Sequence, residues 1–333
     1  MLKRPLTLAV LASMLTLSTA VAQEIRVGLS LPQSDRTDDF VNGMYEVFER
    51  EVEAHSDMTV EIAYGGALGA PNERLNQMRR GVIQMSDAAD GNIATIYRDI
   101  QIVNLPYLFP TEEAAWKLLD GPIGQRMAEE IREETGIRVL GWWESGGFKH
   151  YSANRPIEQP EDMHGLKMRV LGPLATIPVE ALGGSAAPIA FGELYTALRT
   201  GVVDGQDNSV TVFNLVKLYE VQSHLSLTGH TYAFGPLGIN DAFFSGLSEE
   251  QQTVIENAAD AAIAFNRKTS REAEATAIAF AKEQGTEVTT LDPEAREAFK
   301  KVVQPPAIEW LRANVDTPDL IDEMIAAVSD ARD

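Results

Sequence analysis

The chain has 333 residues, carries 49 acidic against 28 basic residues for a formal net charge of −21, and contains no cysteine. That balance repels nucleic acid and anionic lipid headgroups, and the missing thiols exclude disulfides, thiolate metal sites and cysteine catalysis. Any anionic ligand binds against the overall field, so local cationic donors have to dominate at short range.

The N-terminus combines Lys3 and Arg4, an apolar stretch over 5–19 and the small-residue end Ala20-Val21-Ala22. These are the three parts of a secretory signal peptide, so residues 1–22 are expected to be removed after Ala22, leaving an exported, periplasmic chain beginning at Gln23. No later stretch approaches the ~20 continuous apolar residues of a membrane span. The remainder is long enough for two domains of ~100–200 residues each. Period-2 alternation predicts strands over 24–31, 58–64 and 137–143, with an extended segment over 83–88. Helices are predicted over 38–54, 72–80 and 111–119, the last capped by Thr111 with Glu112 and Glu113 in its first turn. Strands alternating with helices indicate an α/β architecture with largely parallel sheets. Ser248-Glu249-Glu250-Gln251 fits a capping box and starts an Ala-rich helical pattern that continues nearly to Gly285, with one potential break. A helix of that length suits a brace across two domains, and segments 149–157 and 230–239 suit crossings between them.

No catalytic set emerges. Gly65-Gly66-Ala67-Leu68-Gly69 lacks the lysine and hydroxyl of a phosphate loop. Trp143-Glu144-Ser145-Gly146-Gly147 has tryptophan where a nucleophile elbow needs glycine. The five histidines show no metal-ligand spacing, and Asp204-Gly205-Gln206-Asp207-Asn208 lacks the acid that would complete a calcium loop, so neither metal nor cofactor is expected. Binding groups do stand out. Arg169, in the strand-like Lys167-Met168-Arg169-Val170, offers a planar fork that matches a carboxylate. Asn208 supplies a donor and an acceptor, and Phe191 a face for stacking. Taken as residues alone, these three are equally at home in a salt bridge, a turn and a core.

The run PIAFGELYTALRTGVVDGQDN (188–208), preceded by MHGLKMRV (163–170), resembles the substrate-binding proteins of TRAP transporters, the DctP-type receptors. IAYGGALGAPNERLNQMRRGVIQM (62–85), VNLPYLFP (103–110) and GGFKHYSANRPI (146–157) add to the likeness in the same order along the chain. The resemblance implies two Rossmann-like α/β domains of the periplasmic-binding-protein type with crossing strands, a long bracing helix and the ligand in the interdomain cleft. The expected division is 23–147 plus 234–275 for one domain and 148–233 plus 276–333 for the other. It also implies a monomeric, non-enzymatic receptor that delivers its ligand to integral-membrane permease subunits driven by a sodium gradient. Arg169 falls where the family clamps a carboxylate, Asn208 and Phe191 where it places an amide and a stacking aromatic, and Ser30 and Asp90 where it lines the cleft. Lys149 stands where many acid-binding members carry a second arginine, keeping the charge without the bidentate fork. With several acids nearby, a hydroxylated acid or a zwitterion fits as well as a dicarboxylate, and a cationic amino compound stays open. A secreted α/β hydrolase or lyase, or a sensor subunit with the same pocket, are the competing readings.

Overall fold

The computed structural model describes residues 23–330; the signal peptide expected over residues 1–22 lies outside them. Nine strands follow in chain order, β1 (Glu24–Gly28), β2 (Thr59–Ala63), β3 (Met85–Ser86), β4 (Ile137–Ala153), β5 (Lys167–Val170), β6 (Ser185–Pro188), β7 (Gly205–Asn208), β8 (His224–Asn240) and β9 (Glu287–Thr290). They form one continuous sheet ordered β2-β1-β3-β8-β4-β7-β5-β6, with β9 on β8. The two 17-residue strands β4 and β8 pair antiparallel from Ile137↔Asn240 to Ala153↔His224. The parallel trio β1, β2 and β3 joins one end of this ribbon through β8, and the parallel trio β5, β6 and β7 joins the other through β4. Parallel strands need helical crossovers, so each half carries its own helices.

The first half folds as its alternation predicts. Ile25 and Val27 of β1 are fully buried, and helix Asn42–His55 lays Met44, Tyr45, Phe48 and Val52 over them. That helix begins four residues later than predicted, and in the turn before it Asp39 Oδ1 accepts the backbone N–H groups of Val41 and Asn42. Thr111 and Ser248 cap their helices as expected, each accepting the backbone N–H three residues on.

Helix Glu249–Glu283 is unbroken over 35 residues. Ala258, Ala259 and Ala262 are buried in the core of the first half, whereas Ala281 is buried with Leu194, Leu198 and Phe213 of the second. One rigid element thus braces both. The C-terminal segment departs from the expected division. In helix Pro293–Asn314, Phe299 and Val303 pack with the second half, but past Pro305 and Pro306 the buried Ala307 and Leu311 join Trp116 and Leu118 of the first half. Leu320, Ile321, Met324 and Val328 of helix Asp319–Asp330 follow them there.

Strand β4 runs ten residues beyond its predicted end at Trp143. Its register shifts between Glu144 and Gly147, where Gly146 and Gly147 take φ of 87° and 85°. Only glycine adopts such angles without strain. A methyl group on Gly146 would lie 2.2 Å from Thr211 Oγ1 and 2.3 Å from Ser209 Oγ. Gly146→Ala is therefore expected to destabilise the protein by about 1–3 kcal/mol, read as a lower urea midpoint.

Glu144 fills this bulge, fully buried, accepting from Tyr232 Oη at 2.9 Å and Ser270 Oγ at 2.6 Å. Asn266 of the long helix binds its backbone N–H and C=O, fastening the brace to the crossing strand. Carboxylate oxygens of Glu112, Glu144 and Glu274 lie within 4.8 Å of one another. Burial, reinforced by the Glu112 and Glu144 charges and opposed by Arg271, pushes Glu274 up to about 8. Between its ordinary range near 4.5 and about 8, the folded protein keeps a proton that the unfolded chain has released, so stability falls as pH rises through that window. Glu274→Gln should remove this loss, leaving the variant more stable than the parent at pH 8 and closer to it at pH 5. A melting-temperature difference that stays constant from pH 5 to 8 would contradict this.

Candidate functional site

The cleft opens beside the crossing strands, where the C-terminal ends of the parallel strands face one another. Open α/β sheets place ligands at such carboxyl ends. All six residues singled out in the sequence, Ser30, Asp90, Lys149, Arg169, Phe191 and Asn208, line one chamber of it. A second chamber adjoins it, and the two share Asp90, Lys149, Arg169, Leu171 and Asp207.

Arg169 sits on β5, between β6 and β7, and is 2 % exposed. Its Nε donates to the Ile189 carbonyl at 2.9 Å, which fixes the plane of the guanidinium, while Nη2 is buried without a partner. Burial lowers its affinity for a proton, against a smaller pull from Asp207. A buried cation with an unused donor is costly unless something completes it. Ile189 follows β6 and leads into Phe191, half-buried on the chamber wall. Asn208 ends β7 and donates to Gln206 Oε1, whose own Nε2 reaches Ser152 Oγ at 2.7 Å. This buried chain of polar groups orients the amide.

From β4, Lys149 Nζ lies 3.8 Å from Asp90 Oδ2, so its charge is matched inside the protein and it is not a free second clamp. Ser30 is equally committed. Its hydroxyl donates to Asp87 Oδ1 at 3.2 Å and accepts from Arg74 Nη2 at 2.6 Å. It therefore joins a buried Arg74–Asp87 ion pair, of which Asp87 also lines the chamber.

Asp207 and His230 are cleft residues that the sequence reading assigned to other roles or left out. Burial alone would raise Asp207, but the His230 N–H, Lys149 and Arg169 hold it down at about 2. Burial likewise lowers His230, more than Asp207 raises it, keeping the imidazole neutral. Its Nε2 lies 3.5 Å from Asp207, its Nδ1 2.8 Å from Thr228 Oγ1, and its ring stacks on Tyr151 at 4.1 Å. The sequence signal for Asp207 was its place beside Asn208; nothing local announced His230, whose partners arrive from β4 and β7.

Among the described residues, no helix is long and apolar enough to cross a membrane. Residues 33–312 match the family described as DctP, bacterial extracellular solute-binding protein, family 7. The 2,3-diketo-L-gulonate-binding periplasmic protein YiaO of Escherichia coli K12 is 30% identical over 310 residues, covering 92% of this chain and 94% of its own. The C4-dicarboxylate-binding periplasmic protein DctP of Rhodobacter capsulatus is 31% identical over 263 residues, covering 78% of each. Among solved structures, the galactonate complex of the sugar acid binding protein DctPAm from Advenella mimigardefordensis has a TM-score of 0.86 at 31% identity, covering 93% of this chain and 99% of that one. With a matched stretch this long, this two-halved fold and the cleft between its halves, the chain belongs to the DctP family of TRAP periplasmic solute-binding proteins.

Proposed function

We propose that this protein is the periplasmic receptor of a TRAP transporter, capturing a small organic acid whose carboxylate is held by Arg169 and delivering it to membrane permease subunits. The carrying observation is the Arg169 guanidinium, oriented by Ile189 and left with a buried, unpaired Nη2 at the wall of the cleft. A carboxylate satisfies that donor through a charge-assisted hydrogen bond. Relatives that bind a diketogulonate, a C4-dicarboxylate and a galactonate favour the same ligand class. Lys149 faces Asp90 at 3.8 Å, so that carboxylate is already engaged within the protein.

The hydrolase reading has one foothold, the chain Thr228–His230–Asp207. Its hydroxyl is the wrong one for chemistry, since Thr228 is fully buried and lines neither chamber. Binding without turnover is the better account of these groups, with the ligand shifting an open–closed equilibrium of the two halves. A thermal-shift screen of organic acids tests it. Stabilisation follows RT ln(1 + [L]/Kd), about 4 kcal/mol at a thousand-fold excess over Kd. The proposal fails if no acid raises the melting temperature, or if the bound acid is consumed on prolonged incubation.

A further inference from the structure

Among the described side chains that line the two chambers, His230 is the one whose charge ordinarily changes near neutral pH. It is 5 % exposed, and each of its ring nitrogens faces an oxygen. Nε2 lies 3.5 Å from Asp207 Oδ2, and Nδ1 lies 2.8 Å from Thr228 Oγ1, a hydroxyl that can donate or accept. A proton added to the ring therefore meets an acceptor on either side, at the cost of a turn of one hydroxyl. The ring also lies on Tyr151 at 4.1 Å and 12°, and an aromatic face favours a cation. Its neighbour His150 is held neutral, at about 3, by burial and by the His230 and Arg296 charges, and its Nδ1 already accepts the Gly229 N–H. Arg296, on helix Pro293–Asn314, donates to the Gly229 carbonyl at 3.4 Å and lines neither chamber. Tyr107 contributes its backbone N–H to the His230 carbonyl at 2.8 Å.

The formal charges lining the two chambers sum to zero before a ligand arrives. Asp87 is matched by Arg74 and Asp90 by Lys149, while Asp207 lies in the field of Arg169 and offsets it. A carboxylate on Arg169 leaves one uncompensated negative charge in a buried site, which is costly at low dielectric. It also competes with Asp207 for the guanidinium. In the empty protein, burial outweighs the pull of Asp207 and keeps the imidazole neutral, with Lys149 acting in the same sense as burial. A second anion nearby adds to the pull of Asp207, because a negative charge favours the charged form of a base.

We propose that ligand capture is coupled to proton uptake: a carboxylate settling on Arg169 draws a proton onto His230, which restores neutrality in the cleft and makes the receptor's affinity depend on pH. This coupling rests on the Arg169 clamp, and the test separates the two. A site that holds its proton more tightly in the complex gives full affinity at low pH and loses it as pH rises through the titration of the complex. Calorimetric titrations of the mature protein use galactonate, galacturonate, erythronate and succinate between pH 6.5 and 8.5, where all four are ionised. Runs at pH 7 in PIPES and in Tris, buffers of different ionisation enthalpy, count the protons taken up. At least one acid is expected to bind with net proton uptake, and about three-fold or more tightly at pH 6.5 than at pH 8.5. His230→Gln and His230→Asn, which keep a polar side chain beside Asp207 but do not titrate, should bind it without uptake and with a Kd that is flat over this range. The coupling is refuted if the parent binds without taking up protons, or if uptake persists in both variants. If Arg169→Met abolishes binding while the parent shows no uptake, the clamp stands and the coupling falls. If Arg169→Met binds like the parent, or if none of the four acids binds, the clamp is wrong and the coupling falls with it.

Discussion

Arg169→Met is expected to leave the ligand-free protein as stable as the parent or more so, while costing about 3 kcal/mol in binding, a hundred-fold or more in Kd for a carboxylate. The two effects share one cause. The guanidinium is 2 % exposed, donates through Nε to Ile189, and keeps Nη2 buried and unpaired. An unsatisfied buried polar group destabilises the empty protein by about 1–3 kcal/mol, and methionine fills similar space without that penalty. In the complex the same donor meets a negative charge in a water-poor cleft, where a charge-assisted hydrogen bond is strongest. Stability and function therefore pull in opposite directions at this position, as they commonly do at binding sites. If Arg169 were instead a structural residue, the variant would melt several degrees lower and lose affinity only in proportion to its unfolding. Thermal melts with and without ligand, paired with calorimetry, separate the outcomes.

Arg74→Met should be the most damaging of these single changes to the fold, at about 3–5 kcal/mol, because it strands a buried carboxylate. Arg74 is 1 % exposed and donates to Asp87 Oδ1 and Ser30 Oγ at 2.6 Å each, to Ser86 Oγ at 3.2 Å and to the Gly69 carbonyl. It ties helix Pro71–Arg79 to the ends of β1 and β3. The packing is close enough that a methyl group on Gly28 would fall 2.5 Å from Arg74 Cδ. Adding Asp87→Leu should recover part of the loss, since the double variant no longer buries a lone charge. Urea unfolding of the two single variants, the double variant and the parent closes the cycle. A single Arg74→Met variant within 1 kcal/mol of the parent would show that water reaches Asp87 freely. Ser30 would lose its fixed orientation in the Arg74 variant, so weaker ligand binding should accompany the lost stability.

The parts of the fold legible in the sequence are those governed by local patterns. Alternation in β1, the Thr111 cap and the Ser248 capping box each depend on residues within a few positions of one another, and each is found where expected. The missed parts depend on distant partners. Strand β4 looked finished at Trp143 because Glu144-Ser145-Gly146-Gly147 breaks its apolar alternation. The strand continues because Tyr232 and Ser270, some 88 and 126 residues away, satisfy Glu144. Pro305 and Pro306 gave no hint that their helix passes through them from one hydrophobic cluster to another. At the site, the six residues carried by family text line one chamber. Their electrostatic state was hidden, since the pairing of Lys149 with Asp90 and of Asp207 with His230 crosses between segments that only the sheet brings together.

The clamp is tested most directly by a crystal structure of the mature protein with whichever acid gives the largest thermal shift. The expected result is a carboxylate oxygen within hydrogen-bonding distance of Arg169 Nη2, with the ligand lying against Phe191 and within reach of Asn208. A ligand whose carboxylate sits elsewhere, with Arg169 still bonded to Ile189 alone, would contradict it.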